Sequence, residues 1–158
     1  MKVNNKKKLF TLSLAGCALL GYFIWLSVQP VEIVAVHEHS SANSVLVKSF
    51  PFTDKGKINW WLTNKEILKA RYNIPKTDSD GSFTVMFWLF GEGYKETDGY
   101  DRLCFNDMNP PLNCIEKDAV FSVSNSSNLG TIFTVYNGKY QLKNNGDIIK
   151  FKDKSEIK

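Results

Sequence analysis

The residues best suited to metal chemistry are His37 and His39, which flank Glu38 and are the only two histidines in the chain of 158 residues. Side chains two positions apart on a strand face the same side of a sheet. Two such imidazoles can bind a transition metal with a third ligand, which here would have to be a carboxylate. The same pattern is typical of solvated residues at a hairpin end, and we favour this interpretation. We therefore expect no metal and no cofactor.

Acid–base catalysis would need two converging carboxylates, and seven acidic side chains lie between residues 92 and 118. The sequence does not show that any two of them converge, and acidic residues beside turns are normally solvated. Four serines lie between residues 122 and 127, but no G-x-S-x-G elbow or S-x-x-K motif surrounds them. We therefore predict no catalytic residue and expect that the protein is not an enzyme. The acidic residues are Glu92, Glu96, Asp98, Asp101, Asp107, Glu116 and Asp118.

Two of the three cysteines, Cys104 and Cys114, are ten positions apart. In an oxidising compartment such a pair predicts a disulfide, which on the chain-entropy model stabilises the fold by about 2–3 kcal/mol. The alternative is two unlinked, buried thiols. A zinc site is not indicated, because the pair has neither a nearby histidine nor a second cysteine pair.

Aromatic side chains are concentrated between residues 50 and 90. We expect most of them in the core. A minority could line an exposed groove for a protein partner, because aromatic residues dominate the hot spots of interfaces. We take Trp60, Trp61 and Trp88 as the candidate partner surface. The other aromatic residues of this group are Phe50, Phe52, Phe87 and Phe90.

A run of twenty uncharged residues, Leu9 to Val28, follows Lys6, Lys7 and Lys8. As a helix it would span about 30 Å, the thickness of the hydrocarbon core of a bilayer. Lysines beside a membrane segment stay in the cytoplasm, so the rest of the chain should be exported. The predicted organisation is a cytoplasmic basic tail at 1–8, a transmembrane helix at 9–28 and an exported domain at 30–158.

Two other interpretations of the apolar segment are open. Leu14-Ala15-Gly16-Cys17 resembles a bacterial lipobox, in which the cysteine is lipidated and becomes the new N-terminus. Against it, an apolar segment follows Cys17, where lipoproteins usually continue with a polar tether. A cleaved signal peptide would end in small residues, whereas residues 22–26 are bulky. We favour an uncleaved helix.

The charge of the chain belongs to its start. Residues 1–29 contain four lysines and no acidic residue, while the remainder holds 16 basic and 16 acidic side chains. A nucleic-acid-binding domain would need a basic surface of its own. We therefore expect no nucleic-acid partner.

The remainder of the chain predicts an α+β domain, mostly antiparallel sheet with one amphipathic helix. The helix is expected from about Lys57 to Tyr72, after a cap at Thr53 or Asp54 and before Pro75. Residues 83–90 are apolar at successive positions, which indicates a central strand covered on both faces. The other predicted strands are 31–36 and 45–50, which form a hairpin, 100–105, antiparallel to 83–90, and 119–123, 131–136, 139–142 and 148–151.

Four stretches of the chain are PVEIVAVH at 30–37, FPFTDKGKINWW at 50–61, YDRLCF at 100–105 and NCIEKD at 113–118. Together they resemble an enterobacterial family of small putative membrane proteins of unknown function. The resemblance extends from the lysine cluster to about Tyr140. It implies an inner-membrane protein of a Gram-negative bacterium with a periplasmic domain, and it brings no catalytic residues with it.

These features predict an inner-membrane-anchored, periplasmic protein-binding domain, with the membrane and a periplasmic protein as its partners. An immunity-type inhibitor of a toxin that acts in the periplasm would have this size, neutrality and location. The alternative is a structural accessory subunit of a cell-envelope complex, in which the membrane helix itself makes contacts. An enzyme acting on periplasmic or lipid substrates is the third hypothesis.

Overall fold

A computed structural model describes residues 5–27, 29–39 and 42–151. They belong to two compact units whose boundary lies between Pro30 and Val31. The described part of the first unit is one helix, and that of the second is a seven-stranded sheet, a two-stranded sheet and one helix. The chain therefore has the predicted α+β class.

The helix of the first unit, α1, runs from Asn5 to Ser27. Its segment Lys8–Trp25 is long and apolar enough to cross a membrane, and none of its side chains is buried. The predicted helix is confirmed as far as Ser27, and Val28 lies outside the described residues. Cys17 lies inside α1 with an exposed, free thiol.

The second unit contains nine strands and one helix: β1 (Glu32–His39), β2 (Ala42–Lys48), α2 (Asp54–Tyr72), β3 (Phe83–Leu89), β4 (Leu103–Cys104), β5 (Cys114–Ile115), β6 (Ala119–Ser126), β7 (Gly130–Val135), β8 (Gly138–Leu142) and β9 (Ile148–Phe151). Seven of the strands form one sheet in the order β1-β2-β3-β6-β7-β8-β9. Neighbours are antiparallel except β2 and β3, which are parallel because α2 connects them as a crossover. Strand β3 lies inside this sheet, as predicted.

Helix α2 begins three residues before the predicted start because Thr53 caps it. The Thr53 hydroxyl accepts a hydrogen bond from the Gly56 backbone N–H at 3.0 Å. A Cβ at Gly56 would lie 2.7 Å from the Thr53 hydroxyl oxygen, so the cap needs glycine there. The helix ends at Asn73, whose N–H donates to the Lys69 carbonyl and whose left-handed backbone (φ 55°) directs the next N–H, that of Ile74, back to the Leu68 carbonyl.

The two faces of the large sheet are covered by different parts of the chain. Side chains alternate along β2, so Val45 packs with α2 on one face and Leu46 packs on the other. An irregular segment, residues 90–118, contributes Phe105 and Ile115 to the core on the Leu46 side. We call residues 90–118 the stapled layer, because the segment contains both cysteines of the predicted disulfide.

The predicted strand 100–105 is wrong over most of its length. Only Leu103 and Cys104 are extended, and they pair with β5 in a separate two-stranded sheet, not with β3. The cause is Asp98, whose carboxylate accepts hydrogen bonds from the backbone N–H groups of Tyr100, Asp101 and Arg102 at 3.1–3.2 Å. A local side-chain acceptor of this kind replaces the partner strand.

The tryptophan surface expected from the sequence is wrong for two of its three residues, because their side chains are buried. Trp61 is 3 % exposed and Trp88 is 9 % exposed, so both belong to the core. Trp61 packs in the α2-side cluster and Trp88 in the cluster beneath the stapled layer. Trp60 is half-buried against Phe50. Adjacent residues of a helix point about 100° apart, so Trp60 and Trp61 cannot both face the sheet. Trp61 is the one that is buried.

Candidate functional site

The stapled layer is the strongest candidate for a functional surface. It has 29 residues, far more than the usual connection, and long segments of this kind on a rigid scaffold often carry function. Its two ends meet, because the Leu89 N–H donates to the Asp118 carbonyl at 2.9 Å. The Phe90 N–H donates to the Val47 carbonyl at 3.0 Å and so joins the layer to β2.

The centre of the layer is a paired set of cysteines. Cys104 and Cys114 are directly opposite each other in β4 and β5, and their sulfurs lie 2.07 Å apart, at disulfide bonding distance. Cys114 is fully buried, whereas Cys104 is exposed. The backbone of Cys114 also exchanges two hydrogen bonds with Lys95, at 2.7 and 3.0 Å. This covalent link joins the two strands of the small sheet to each other.

His37 attaches the layer to the sheet. Its Nδ1 lies 2.9 and 3.0 Å from the two carboxylate oxygens of Asp107, and its Nε2 lies 2.9 Å from the Tyr94 hydroxyl. The imidazole also stacks on Phe105, with ring centroids 3.8 Å apart and planes 12° from parallel. The His37 side chain is only 8 % exposed. The expectation of a solvated histidine at a hairpin end is therefore wrong for His37.

The hydrogen-bond roles in this group follow from its chemistry. An ionised Asp107 only accepts, so the facing Nδ1 of His37 carries a proton. A neutral His37 then accepts from the Tyr94 hydroxyl through Nε2. Burial first, and then the charge of Asp107, raise the pKa of Tyr94 above its ordinary value of 10.0. A phenol held in its neutral form donates a hydrogen bond well but is a poor nucleophile, so the group suits attachment better than covalent catalysis.

A network of charges lies on the layer around Glu116. The Glu116 carboxylate accepts from Lys95 Nζ and from Arg102 Nε, both at 3.1 Å. These two bonds, with Lys95 first, hold the pKa of Glu116 below its ordinary value of 4.5. Lys95 also donates to Glu92 at 2.7 Å, and its hydrogen bonds to the two carboxylates raise its own pKa. The network links three separate stretches of the layer.

The exposed tip of the layer is held in shape from within. The backbone bonds that Asp98 accepts, first from Tyr100 and then from Arg102, lower the pKa of its carboxyl group. Arg102 in turn donates to the Glu96 carbonyl at 2.7 Å. The Tyr100 side chain lies at this tip and is 90 % exposed. Leu112, between the two cysteines of the layer, is 54 % exposed.

The layer is also acidic. It contains seven acidic and three basic side chains, a net charge of −4, which is offset by a net charge of +4 in the rest of residues 30–158. The ion pairs satisfy both Lys95 and Arg102, so the excess charge on the surface is negative. Two exposed apolar side chains on an ordered, negatively charged surface are suited to binding a protein with a basic surface.

The other residues considered for chemistry, the metal-ligating side chains and the serines, are not brought together in the part of the chain that the structure describes. Among the described residues, no group of three or more His, Cys, Asp and Glu side chains could hold a metal ion. The side chain of His39 lies outside the description. The serines of β6 alternate along the strand with core residues such as Val123, and no histidine among the described residues contacts them.

The sequence did not reveal the His37 group, because its partners are 70 and 57 positions away. Strict alternation along β1 would put His37 on the same face as Ile33, which packs on the α2 side. A register shift between Ile33 and Ala35 puts Val36 on the α2 side, so its neighbours Ala35 and His37 face the stapled layer. Only the three-dimensional path of the layer brings Asp107 and Tyr94 to that position.

Comparison with known proteins gives one match. The model of the family described as "Enterobacterial putative membrane protein (DUF943)" covers residues 2–152. No curated protein and no solved structure matches the chain.

Proposed function

The chain belongs to this enterobacterial family of unknown function, and we propose that it holds a protein-binding domain at the inner membrane, with residues 30–158 in the periplasm. Helix α1 would span the membrane once. The lysines before it favour a cytoplasmic N-terminus, because basic flanks are retained on that side. The paired Cys104 and Cys114 favour an oxidising compartment for the domain.

The single observation that carries the binding proposal is the fixed surface of the stapled layer. The cysteine pair, the His37–Asp107 contact and the Glu116 network hold an irregular segment in one shape. A surface that is ordered before binding loses less conformational entropy when the partner arrives. Tyr100 at its tip is the type of residue that dominates binding energy in interfaces.

The charge of the layer defines the partner more closely. A net charge of −4 in residues 90–118 favours a partner whose contact surface is basic, and it would speed their encounter. We propose that the partner is a periplasmic protein and that the domain blocks it, in the manner of an immunity-type inhibitor of a toxin. A domain anchored at the membrane would keep such an inhibitor where a periplasm-acting toxin does damage.

The same proposal assigns no catalysis to the domain. In the group formed by His37, Asp107 and Tyr94, burial and then the charge of Asp107 raise the pKa of the Tyr94 phenol, which an enzyme would need to activate. Asp107 is about half exposed, and it faces the histidine with both oxygens. These contacts support a role in fixing the layer.

The test compares two exposed tyrosines in the full-length chain, purified from membranes in detergent. Tyr100 lies on the stapled layer, and Tyr136, 96 % exposed, lies in the turn after β7. If the layer binds the partner, Tyr100→Ala should reduce recovery of co-purified protein about ten-fold or more, as hot-spot truncation does. Tyr136→Ala should leave recovery unchanged. Equal recovery with the two variants would contradict the proposal.

A structural accessory subunit is the second candidate, and α1 favours it. None of the side chains of Lys8–Trp25 is buried, so the whole circumference of the helix is available to another membrane helix. Replacing residues 9–28 with an unrelated apolar helix of equal length separates the two candidates. Function would survive the exchange if the periplasmic domain binds the partner, and it would be lost if the helix makes the essential contacts.

A further inference from the structure

Two hollows of about 280 and 260 Å³ lie along one flank of α2. The first lies between Leu62 and Leu142, and the second lies between Ile58 and Ile148. Leu142 and Ile148 are cross-strand partners in β8 and β9, so the hollows share one floor. The α2 residues that line them recur three and four positions apart and form a single stripe on the helix. We call the two hollows together the α2 furrow.

The floor of the furrow is apolar. Leu62, Phe83, Tyr140, Leu142 and Ile148 pack against the core on the α2 side, but each is only half-buried. The apolar surface that they leave uncovered faces the space between helix and strands. Covering such surface with another apolar group is favourable by roughly 25 cal/mol per Å².

The rim of the furrow is positive. Lys65 and Lys69 stand one turn apart beside the first hollow, and Lys55 stands beside the second. Within the described chain, no carboxylate lies at ion-pair distance from Lys55 or Lys65. Lys69 donates instead to Asn73 and to the Pro75 carbonyl, both at 2.9 Å. The one acidic residue among the lining side chains is Glu66.

The size of the furrow limits what it can hold. Lys55 and Lys69 are about 21 Å apart along the helix axis. The two hollows together offer about 540 Å³ over that length. One extended hydrocarbon chain can lie along both hollows with its polar end beside the lysines of the rim.

We infer that the α2 furrow binds a single-chain anionic amphiphile, with the acidic head group at Lys65 and the alkyl chain along Leu142 and Ile148. The apolar floor accounts for the alkyl chain, and Lys55 and Lys65, which have no carboxylate at ion-pair distance among the described residues, account for the negative head group. A fatty acid and an anionic lysophospholipid share it. The inference is independent of the stapled layer and of any protein partner bound there.

The test uses photocrosslinking in the full-length protein, reconstituted in nanodiscs of zwitterionic phosphatidylcholine. Three probes carry a diazirine at the end of a long alkyl chain: a fatty acid, a lysophosphatidylglycerol and an uncharged alcohol. Crosslinked peptides are mapped by mass spectrometry. We expect both anionic probes to label the peptides that contain Leu142 and Ile148 at least three-fold more than the alcohol does.

Two lysine variants test the head-group position. Lys65→Gln should reduce labelling of the furrow by the anionic probes about two- to five-fold, the range for one exposed ion pair. Lys139→Gln is the matched control, because Lys139 is exposed on β8 but alternates with Tyr140 and so faces the opposite side of the sheet. It should leave labelling unchanged.

The outcomes divide clearly. Preferential anionic labelling that falls in Lys65→Gln supports the inference, and the probe with the stronger signal identifies the source of the head group. Equal labelling by the alcohol, labelling confined to α1, or labelling unchanged in Lys65→Gln would overturn it. None of these results bears on binding through Tyr100, which lies outside the furrow.

Discussion

His37 joins the large sheet to three residues of the stapled layer, Tyr94, Asp107 and Phe105. Replacing it with alanine would leave Tyr94 and Asp107 without their partner and would remove the ring stacked on Phe105. We expect His37→Ala to lower the free energy of unfolding by about 2–4 kcal/mol, as measured by urea denaturation.

The control for His37 is the adjacent position on the same strand. Glu38 makes one half-exposed ion pair with Lys76 at 2.9 Å. Glu38→Ala should therefore cost less than about 1 kcal/mol. Similar losses in the two variants would contradict the role assigned to His37.

The Glu116 carboxyl group should make the stability of the domain depend on pH in the acidic range. Its pKa is below 4.5 because Lys95 and Arg102 stabilise the charged carboxylate. The carboxylate therefore contributes stability above pH 4.5, and this contribution is lost as the pH falls through its lower folded-state pKa. We expect Glu116→Gln to flatten the fall in unfolding midpoint below that pH. Glu66→Gln, on α2, should keep the slope of the native protein.

The cysteine pair could be predicted from the sequence, whereas the His37 group could not. Cys104 and Cys114 are ten positions apart, within one local segment whose oxidised state follows from the expected compartment. Asp107 and Tyr94 reach His37 only after the stapled layer has folded across the sheet. A spacing of 70 residues carries no information about such a contact.

Among the elements, α2 depends on its N-terminal cap. Thr53→Ala removes the acceptor for the Gly56 N–H and should cost about 1 kcal/mol in urea denaturation. Thr63, exposed in the middle of the same helix, is the matched control. Thr63→Ala should be neutral or slightly stabilising because alanine has the higher helix propensity. Equal losses would mean that the cap contributes nothing.

The stapled layer should depend on its cysteines more than the large sheet does. Replacing Cys104 and Cys114 with serine should cost about 2–3 kcal/mol of global stability. Hydrogen exchange should increase most in residues 90–118, while the amides of β3 and β6, paired on both sides, stay protected. Uniform acceleration across the sheet would show that the layer is not a separate element.

The elements that the sequence predicted well are those with a repeating pattern. Strand β6 alternates buried and partly buried residues, glycine turns separate β6 to β9, and α2 has apolar residues with helical spacing. Residues 100–105 have the composition of a strand, but the Asp98 carboxylate takes the backbone bonds that a neighbouring strand would need. Competition between a local acceptor and a distant strand is not visible in periodicity.

For the whole molecule, the sequence predicted the division into an apolar helix and a domain with one central strand. It did not predict which surface would be available. Trp61 and Trp88 were candidates for a partner surface, but the large sheet covers Trp61 and the stapled layer covers Trp88. The acidic tip of the stapled layer stays exposed. The α2 furrow exists because α2 leaves the apolar side chains of β8 and β9 only half-buried.

The proposed arrangement places α1 in the inner membrane and the stapled layer in the periplasm. Thiol mass-tagging of carbonate-washed membranes, with and without reductant, tests both statements in one measurement. We predict that the full-length chain stays in the membrane pellet and gains two further tags, at Cys104 and Cys114, only after reduction. Recovery of the chain in the carbonate supernatant, or tagging of both residues without reductant, would contradict the account.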